Sequence, residues 1–213
     1  LNVNTAIVGF DATRNHFYGY SDGSFINYTL NKKTYAKFVR KIPENVGNPL
    51  LKSATNSYSI FKNDSVVRYE IEHKVQDVCM YNGEVLIGTS SGLFVHRNGI
   101  VKSDQSLDIL KLRIDDIDIN KKGNTAYMAT HGAGVVVYGD RIYNIEAKHG
   151  LTNNIVSEVH IENDSIVWAC TNSGLNRIVF KPNKTFEITT ISEDDGLLSN
   201  HIDDVEIVND TVW

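Results

Sequence analysis

Three threonines, Thr89, Thr130 and Thr171, stand 41 residues apart, each inside the same short phrase. The first copy reads Gly88-Thr89-Ser90-Ser91-Gly92-Leu93 and the third Cys170-Thr171-Asn172-Ser173-Gly174-Leu175. The middle copy, Ala129–Val135, carries one extra residue. Two weaker copies precede them on a period of about 35, at Gly19-Tyr20-Ser21-Asp22-Gly23 and Ala54-Thr55-Asn56-Ser57-Tyr58. Self-similarity at such a period marks a stacked supersecondary unit, because one unit alone cannot bury its apolar faces.

Other features recur in phase. An apolar-x-acid-apolar quartet lies ahead of each strong copy: Val75-Gln76-Asp77-Val78, Ile114-Asp115-Asp116-Ile117 and Val156-Ser157-Glu158-Val159. A fourth, Ile202-Asp203-Asp204-Val205, opens a further unit. The link Gly150-Leu151-x-x-Asn154 returns as Gly196-Leu197-x-x-Asn200.

Each unit reads as strands. Residues 75–103 supply Val75–Tyr81, Glu84–Thr89, Gly92–Arg97 and Ile100–Lys102, with Asn98-Gly99 as a type I′ turn candidate. The set recurs at 112–147 and 155–191, the last with Ile155–Ile161, Ile166–Cys170 and Leu175–Phe180. Earlier strands are expected at Thr5–Phe10, His16–Tyr20, Ser24–Tyr28, Lys37–Lys41, Leu50–Ala54, Tyr58–Phe61 and Val66–Ile71. No stretch has a good helical pattern. Val85-Leu86-Ile87 and Ile166-Val167-Trp168 are unbroken apolar runs, as expected of strands covered on both faces.

Four strands per repeat, in tandem, predict an all-β fold: a β-propeller of four-stranded antiparallel blades over a single domain, 1–213. A twisted sandwich is the competitor, but sandwich strands have no reason to recur at a fixed period. Five Thr-type turns, near Tyr20, Thr55, Thr89, Thr130 and Thr171, imply about five blades. A sixth unit starts at Gly196 and stops at Trp213, while residues 5–28 already supply the first blade's inner strands. The expectation is therefore an incomplete ring cut from a longer chain of about six to eight blades, its open faces packed on another copy.

At these residues the sequence resembles the two-component regulator propeller repeat, whose pattern runs G-L-x-x-N-x-[VI]-x-x-[IV], a D/N-G turn, L-W-I-G-T-x-x-G-L and a basic residue. Gly150–Arg177 carries nearly all of it, with Trp168, Thr171, Gly174, Leu175 and Arg177 in place. Gly83–Arg97 carries the second half and Gly196–Trp213 the first, while the unit at 114–138 has Gly-Ala-Gly for x-Gly-Leu. The resemblance implies the extracytoplasmic sensor region of a bacterial sensor histidine kinase, periplasmic or extracellular. Such a region meets a membrane only through the rest of its chain. It implies no kinase residues here.

A net charge of −5 argues against a nucleic-acid partner, and no apolar run is long enough to span a membrane. Cys79 and Cys170 occupy unlike positions of separate units, so both are expected as free thiols. The quartet acids Asp77, Asp116, Glu158 and Asp204 are expected to accept backbone N–H groups near the inner strands. Asp115-Asp116-Ile117-Asp118 and Glu193-Asp194-Asp195 lack the oxygen spacing of a calcium loop and read as solvated charge. No metal or cofactor is expected. Five Asn-x-Ser/Thr sequences, four with Asp or Lys at the centre, read first as turns. Neither a phosphate loop nor a nucleophile elbow occurs.

Loops alternate between the two ends of a blade. The Asn-Asp and Asn-Gly turns belong to one end, the Thr-x-x-Gly turns and Gly-Leu-x-x-Asn links to the other. A small molecule or glycan over the central channel would meet the second end, at Ser90, Ser91, His131, Asn153, Asn172, Asn200 and His201. The functional expectation is a non-catalytic ligand-sensing module. A carbohydrate-active propeller enzyme would need acids that break the repeat, and here they follow it. A protein-binding scaffold is the third class.

Overall fold

A computed structural model describes residues 6–11, 16–21, 24–29, 37–39, 50–62, 65–208 and 211–212, with side chains placed over 55–60, 67–207 and at 212. The strands in chain order are β1 (Ala6–Asp11), β2 (His16–Ser21), β3 (Ser24–Thr29), β4 (Lys37–Val39), β5 (Leu50–Ala54), β6 (Ser57–Lys62) and β7 (Ser65–Glu70). They continue with β8 (Val75–Tyr81), β9 (Glu84–Thr89), β10 (Gly92–Arg97), β11 (Ile100–Ser103), β12 (Ile114–Ile119), β13 (Ala126–Thr130), β14 (Val135–Tyr138) and β15 (Tyr143–Ile145). The last are β16 (Val156–Asn163), β17 (Ile166–Thr171), β18 (Gly174–Phe180), β19 (Phe186–Ile191), β20 (Ile207–Val208) and β21 (Thr211–Val212). Short 3-10 turns at Asp108–Lys111, Ala147–His149 and Glu193–Asp195 are the helical elements among the described residues.

Strands that follow one another in sequence lie side by side. Four sheets have four strands each, β1–β4, β8–β11, β12–β15 and β16–β19; β5–β7 make a three-stranded sheet and β20–β21 a pair. Pairing within the four-stranded sheets is antiparallel throughout. The chain divides into two compact units, Leu1–Lys52 with Ser59–Arg68, and Ser53–Tyr58 with Tyr69–Trp213. The first contains the β1–β4 sheet, and the second contains the sheets β8–β11, β12–β15 and β16–β19. The weak repeat at Gly19–Gly23 runs into Asp22 and Gly23, which lie outside the described residues. So do Lys41 and the turns Asn63-Asp64 and Asn209-Asp210.

The core lies between sheets, which is why strands are apolar on both faces. Leu86 and Leu93 of one sheet pack with Ile114, Ile117, Ala126, Met128 and Val136 of the next. Tyr127, Ala129, Val135 and Val137 on the far face of that next sheet pack with Val156, Val159, Val167, Ala169 and Ile178. Trp168, Cys170 and Leu175 then meet Val205, Ile202 and Ile207. Leu86, Tyr127 and Trp168 share one register position, three residues before the repeat threonine, and each fills the slot toward the following sheet.

The repeat threonine is a turn clamp. Thr89, Thr130 and Thr171 are fully buried. Their Oγ1 atoms donate to Gly92 O at 2.7 Å, Gly134 O at 2.7 Å and Gly174 O at 2.8 Å. The same oxygens accept from Ser91 N, Ala133 N and Ser173 N at 3.0–3.1 Å. Gly92 (φ 106°) and Gly174 (φ 126°) adopt backbone conformations that an L side chain resists. Gly134 takes the same position in the lengthened copy, so the extra residue is absorbed without moving the clamp. At the opposite end, Asn98 (φ 51°) and Gly99 (φ 78°) are both left-handed, as a type I′ turn requires. Asn82-Gly83 between β8 and β9 repeats that geometry.

Candidate functional site

The inner strands β8, β12 and β16 each carry a bulge at the second quartet residue. Register shifts fall between Val75 and Asp77, Ile114 and Asp116, and Val156 and Glu158. A bulge leaves one residue outside the ladder and re-aims it. Here that residue is Gln76, Asp115 or Ser157. β1 has the same shift between Ile7 and Gly9, where glycine replaces the acid.

The bulges and the threonine turns meet at one end of the blades. Val75 pairs with Thr89, Ile114 with Thr130 and Val156 with Thr171. The Gly-Leu-x-x-Asn links join them there: Gly132 N donates to Asn154 O and Gly174 N to Asn200 O. His131 bridges to Ile155 of the next inner strand's approach. Ser157 Oγ, from its bulge, donates to Ile202 O of the next quartet at 2.8 Å. One continuous polar strip results.

Its densest part is a cluster from two neighbouring blades. Arg113 Nε donates to Asp115 Oδ1 at 2.6 Å, and His131 Nδ1 lies 3.8 Å from Asp115 Oδ2. The Gln76 amide reaches the pair from the preceding blade; turned to satisfy both groups, its oxygen accepts from Arg113 Nε and Nη2 at 3.1 Å. Arg113 and His131 are each about half exposed while Asp115 is largely covered. The carboxylate thus holds a guanidinium, with an imidazole beside it, and the outer faces of both cation and ring remain open to solvent.

The seven sequence candidates separate on this frame. His131 belongs to the cluster. Asn153 Nδ2 donates to Ser173 Oγ at 3.2 Å, which reaches Asn172 Oδ1 at 3.4 Å, so Asn153 and Asn172 come together. Ser90 and Ser91 are exposed in the β9–β10 turn. His201 Nε2 lies 3.0 Å from Asp203 Oδ1. Asn200 is committed elsewhere: its Oδ1 accepts from Glu193 N at 2.8 Å, capping the 3-10 turn as Asn154 Oδ1 caps Ala147 N. That explains the Asn of the repeated link. Gln76, Arg113 and Asp115 were missed by the sequence reading, although the second quartet position, variable and polar in every copy, was the signal.

Deeper along the inner strands, three of the four quartet acids, Asp77, Asp116 and Glu158, do accept backbone N–H groups, and the N–H belongs to the next blade. Asp77 Oδ2 accepts from Ile117 N at 3.2 Å, Asp116 Oδ2 from Val159 N at 3.0 Å and Glu158 Oε2 from Val205 N at 2.7 Å. Asp118 is not solvated charge as expected, since its Oδ2 accepts from Ile161 N at 2.7 Å. Burial, then the charge of Asp116, pushes Asp77 up to about 7. Burial likewise pushes Asp116 up to about 6. Glu158 rises to about 8 through burial and a carboxyl contact with Asp204. Among the described residues no three His, Cys, Asp or Glu side chains converge as metal ligands. Cys79 and Cys170 are free thiols.

A second buried polar group reinforces the strip. Asn176 is fully buried and satisfied: its Oδ1 accepts from Thr152 N, and its Nδ2 donates to Thr152 Oγ1 at 2.8 Å. Thr152 Oγ1 also meets Thr171 Oγ1 at 2.8 Å, tying the link to the threonine clamp.

No protein-family model matches the sequence, and no curated protein matches it. Solved structures do match. The extracellular domain of BT4673 from B. thetaiotaomicron, described as a one-component system, aligns with a TM-score of 0.65 at 16% identity. All of this chain is covered, but only 32% of that one. The β-propeller domain of Myceliophteria_thermophila Cps50 (Swd1) aligns at 0.61 and 11% identity, over 89% of this chain and 71% of that one. These are propeller blades. Streptogramin B lyase aligns at 0.51 and 9% identity, over 88% and 68% of the two chains. At such identities the likeness establishes the fold and nothing finer. Among the described residues no helix is long and apolar enough to cross a membrane.

Proposed function

We propose that this propeller is a non-catalytic sensing module, in which the threonine-turn end receives a small polar ligand or glycan and passes its occupancy to an output element elsewhere in the parent protein. The carrying observation is the Gln76–Arg113–Asp115–His131 cluster, which spans two blades and keeps cationic and imidazole faces open. A ligand bridging such a cluster would stiffen one blade against the next. The likeness to the extracellular domain of a one-component system and the resemblance to the two-component regulator repeat support placing the module outside the cytoplasmic membrane, ahead of a histidine kinase or comparable output.

The test is a thermal-shift screen of small metabolites and oligosaccharides against the wild type, Arg113→Ala and His131→Ala. A ligand present at 100 times its dissociation constant should stabilise the wild type by about 2.7 kcal/mol. Both variants should keep their own melting temperature and lose that response. A ligand whose stabilisation survives both substitutions would place the site elsewhere, and chemical turnover of the ligand would make the protein an enzyme.

A further inference from the structure

The seam between the β8–β11 and β12–β15 blades is open at its outer corner, at the end opposite the threonine turns. Val95 pairs with Lys102 and Arg97 with Ile100, so these four side chains lie on one face of the β10–β11 ribbon. That face is turned to the following blade, since Leu93 and Val95 pack with its Ile114, Met128 and Val136. The β10–β11 ladder runs out to Arg97↔Ile100, whereas β14–β15 ends at Val137↔Tyr143, the equivalent of Val95↔Lys102. The ribbon therefore overhangs its neighbour by two pairs, His96↔Val101 and Arg97↔Ile100.

At the next seam the same corner is filled. β18–β19 runs on to Phe180↔Phe186, and both rings pack against the core shared with β12–β15, Phe180 with its centroid 5.5 Å from that of Tyr127. Counted from the clamp glycine, Phe180 stands after Gly174 where Asp140 stands after Gly134. An exposed acid thus replaces the ring that would have closed the first seam.

The result is an open cleft of about 410 Å³, a size that small-molecule sites commonly have. Its apolar surface is Val95, Ile100 and the Tyr138 ring, and Ile100 is 57% exposed. The Tyr138 hydroxyl donates across the seam to Asp104 Oδ2 at 3.1 Å, and Tyr81 meets the ring in a T-shaped contact, so this wall is fixed. The rim is cationic. Arg97 is held by both oxygens of Glu84, and Lys102 enters no ion pair among the described residues. Asp104, the acid lining the cleft, has both oxygens engaged, one by Tyr138 and the other by Ser106 N at 3.0 Å.

We propose that this cleft is a second ligand site, for a small organic monocarboxylate with an aromatic or short aliphatic body. The carboxylate meets Lys102 and the open side of Arg97, and the body covers Ile100, Val95 and the Tyr138 ring. Charge complementarity selects the acid over a neutral analogue, and the exposed isoleucine selects an apolar body over a sugar. The site is separate from the Arg113–His131 cluster, which lies at the threonine-turn end.

The experiment follows backbone amide shifts by NMR while phenylacetate, octanoate or the neutral phenylacetamide is added to the whole chain. At about 10 mM a probe with a dissociation constant of about 1 mM fills roughly nine-tenths of the site. Both acids should shift Val95, Arg97, Lys102 and Tyr138 saturably and leave Thr130 and His131 in place. Phenylacetamide should bind about fivefold more weakly than phenylacetate, and Lys102→Ala should weaken the acids by a similar factor, the size of an exposed charge pair. Ile100→Ser should weaken both acids as well. Lys102 and Ile100 are exposed, so both variants should melt close to the wild type, which separates lost binding from lost folding. The absence of saturable shifts at the cleft, equal binding of acid and amide, or full affinity in Lys102→Ala would overturn the proposal. So would shifts confined to Arg113 and His131, which would assign the acids to the other end.

Discussion

Trp168 is the strongest single test of how the blades pack. It is 4% exposed and lies in the apolar cluster with Cys170 and Leu175 of its own blade and Val205, Ile202 and Ile207 of the following one. Its indole Nε1 donates to Glu162 Oε2 at 2.8 Å, and the Arg177 guanidinium lies 5.8 Å from the ring centroid. Replacement by alanine leaves a cavity between blades and should cost about 3–5 kcal/mol. At about 2–4 °C per kcal/mol for a chain of this size, the melting temperature should drop by roughly 6–20 °C. Trp168→Phe keeps most of the apolar contact and loses the hydrogen bond, so it should cost only about 1–2 kcal/mol. Far-UV circular dichroism in a urea series is the suitable readout, because Trp168 and Trp213 are the two tryptophans and fluorescence would lose its reporter. The decisive arm is a double-mutant cycle with Val205→Ala. If the two side chains touch across the seam, their costs should depart from additivity by about 0.5 kcal/mol or more. Strict additivity, or an alanine variant as stable as the wild type, would refute the inter-blade packing.

Two further predictions concern the turn. Gly174→Val should abolish cooperative folding, because φ is 126° and a Cβ there would lie 3.0 Å from Ile191 O; a wild-type melting curve would show the turn can relax. Thr171→Val keeps the shape but leaves Ser173 N and Thr152 Oγ1 without their partner in a buried site, so it should cost about 2 kcal/mol in urea denaturation. The same change at an exposed threonine, Thr185, is the control and should be nearly neutral.

Much of the fold was legible because repetition and alternation are local signals. The β9 and β10 bounds, the Asn98-Gly99 turn and the three threonine turns follow from residue types within ten positions of one another. The slot shared by Leu86, Tyr127 and Trp168 was also visible, since equal spacing from the threonine implies an equal place in a stacked unit. The candidate site was read only in part. His131, Asn153 and Asn172 stood out as polar variation in a constant turn. Arg113 and Asp115 did not, because their importance depends on a bulge, and a bulge is a property of pairing with another strand. The seven-residue reach of Asn200 back to Glu193 N was equally out of sight, because it depends on the 3-10 turn between them.

The sequence by itself determined the blade: its four strands, its turn chemistry and the need for apolar residues on both faces. Those choices depend on neighbours a few residues away, where backbone preference and side-chain period decide. Tertiary structure alone decided what joins one blade to the next. An acid at the third quartet position could serve an amide of its own sheet or of the following one. The amides of Ile117, Val159 and Val205 sit within reach of Asp77, Asp116 and Glu158 only after sheets separated by about 40 residues of chain have packed together. The same packing strips water from those carboxyls and raises their proton affinity, since desolvation depends on everything around a group and not on its place in the sequence.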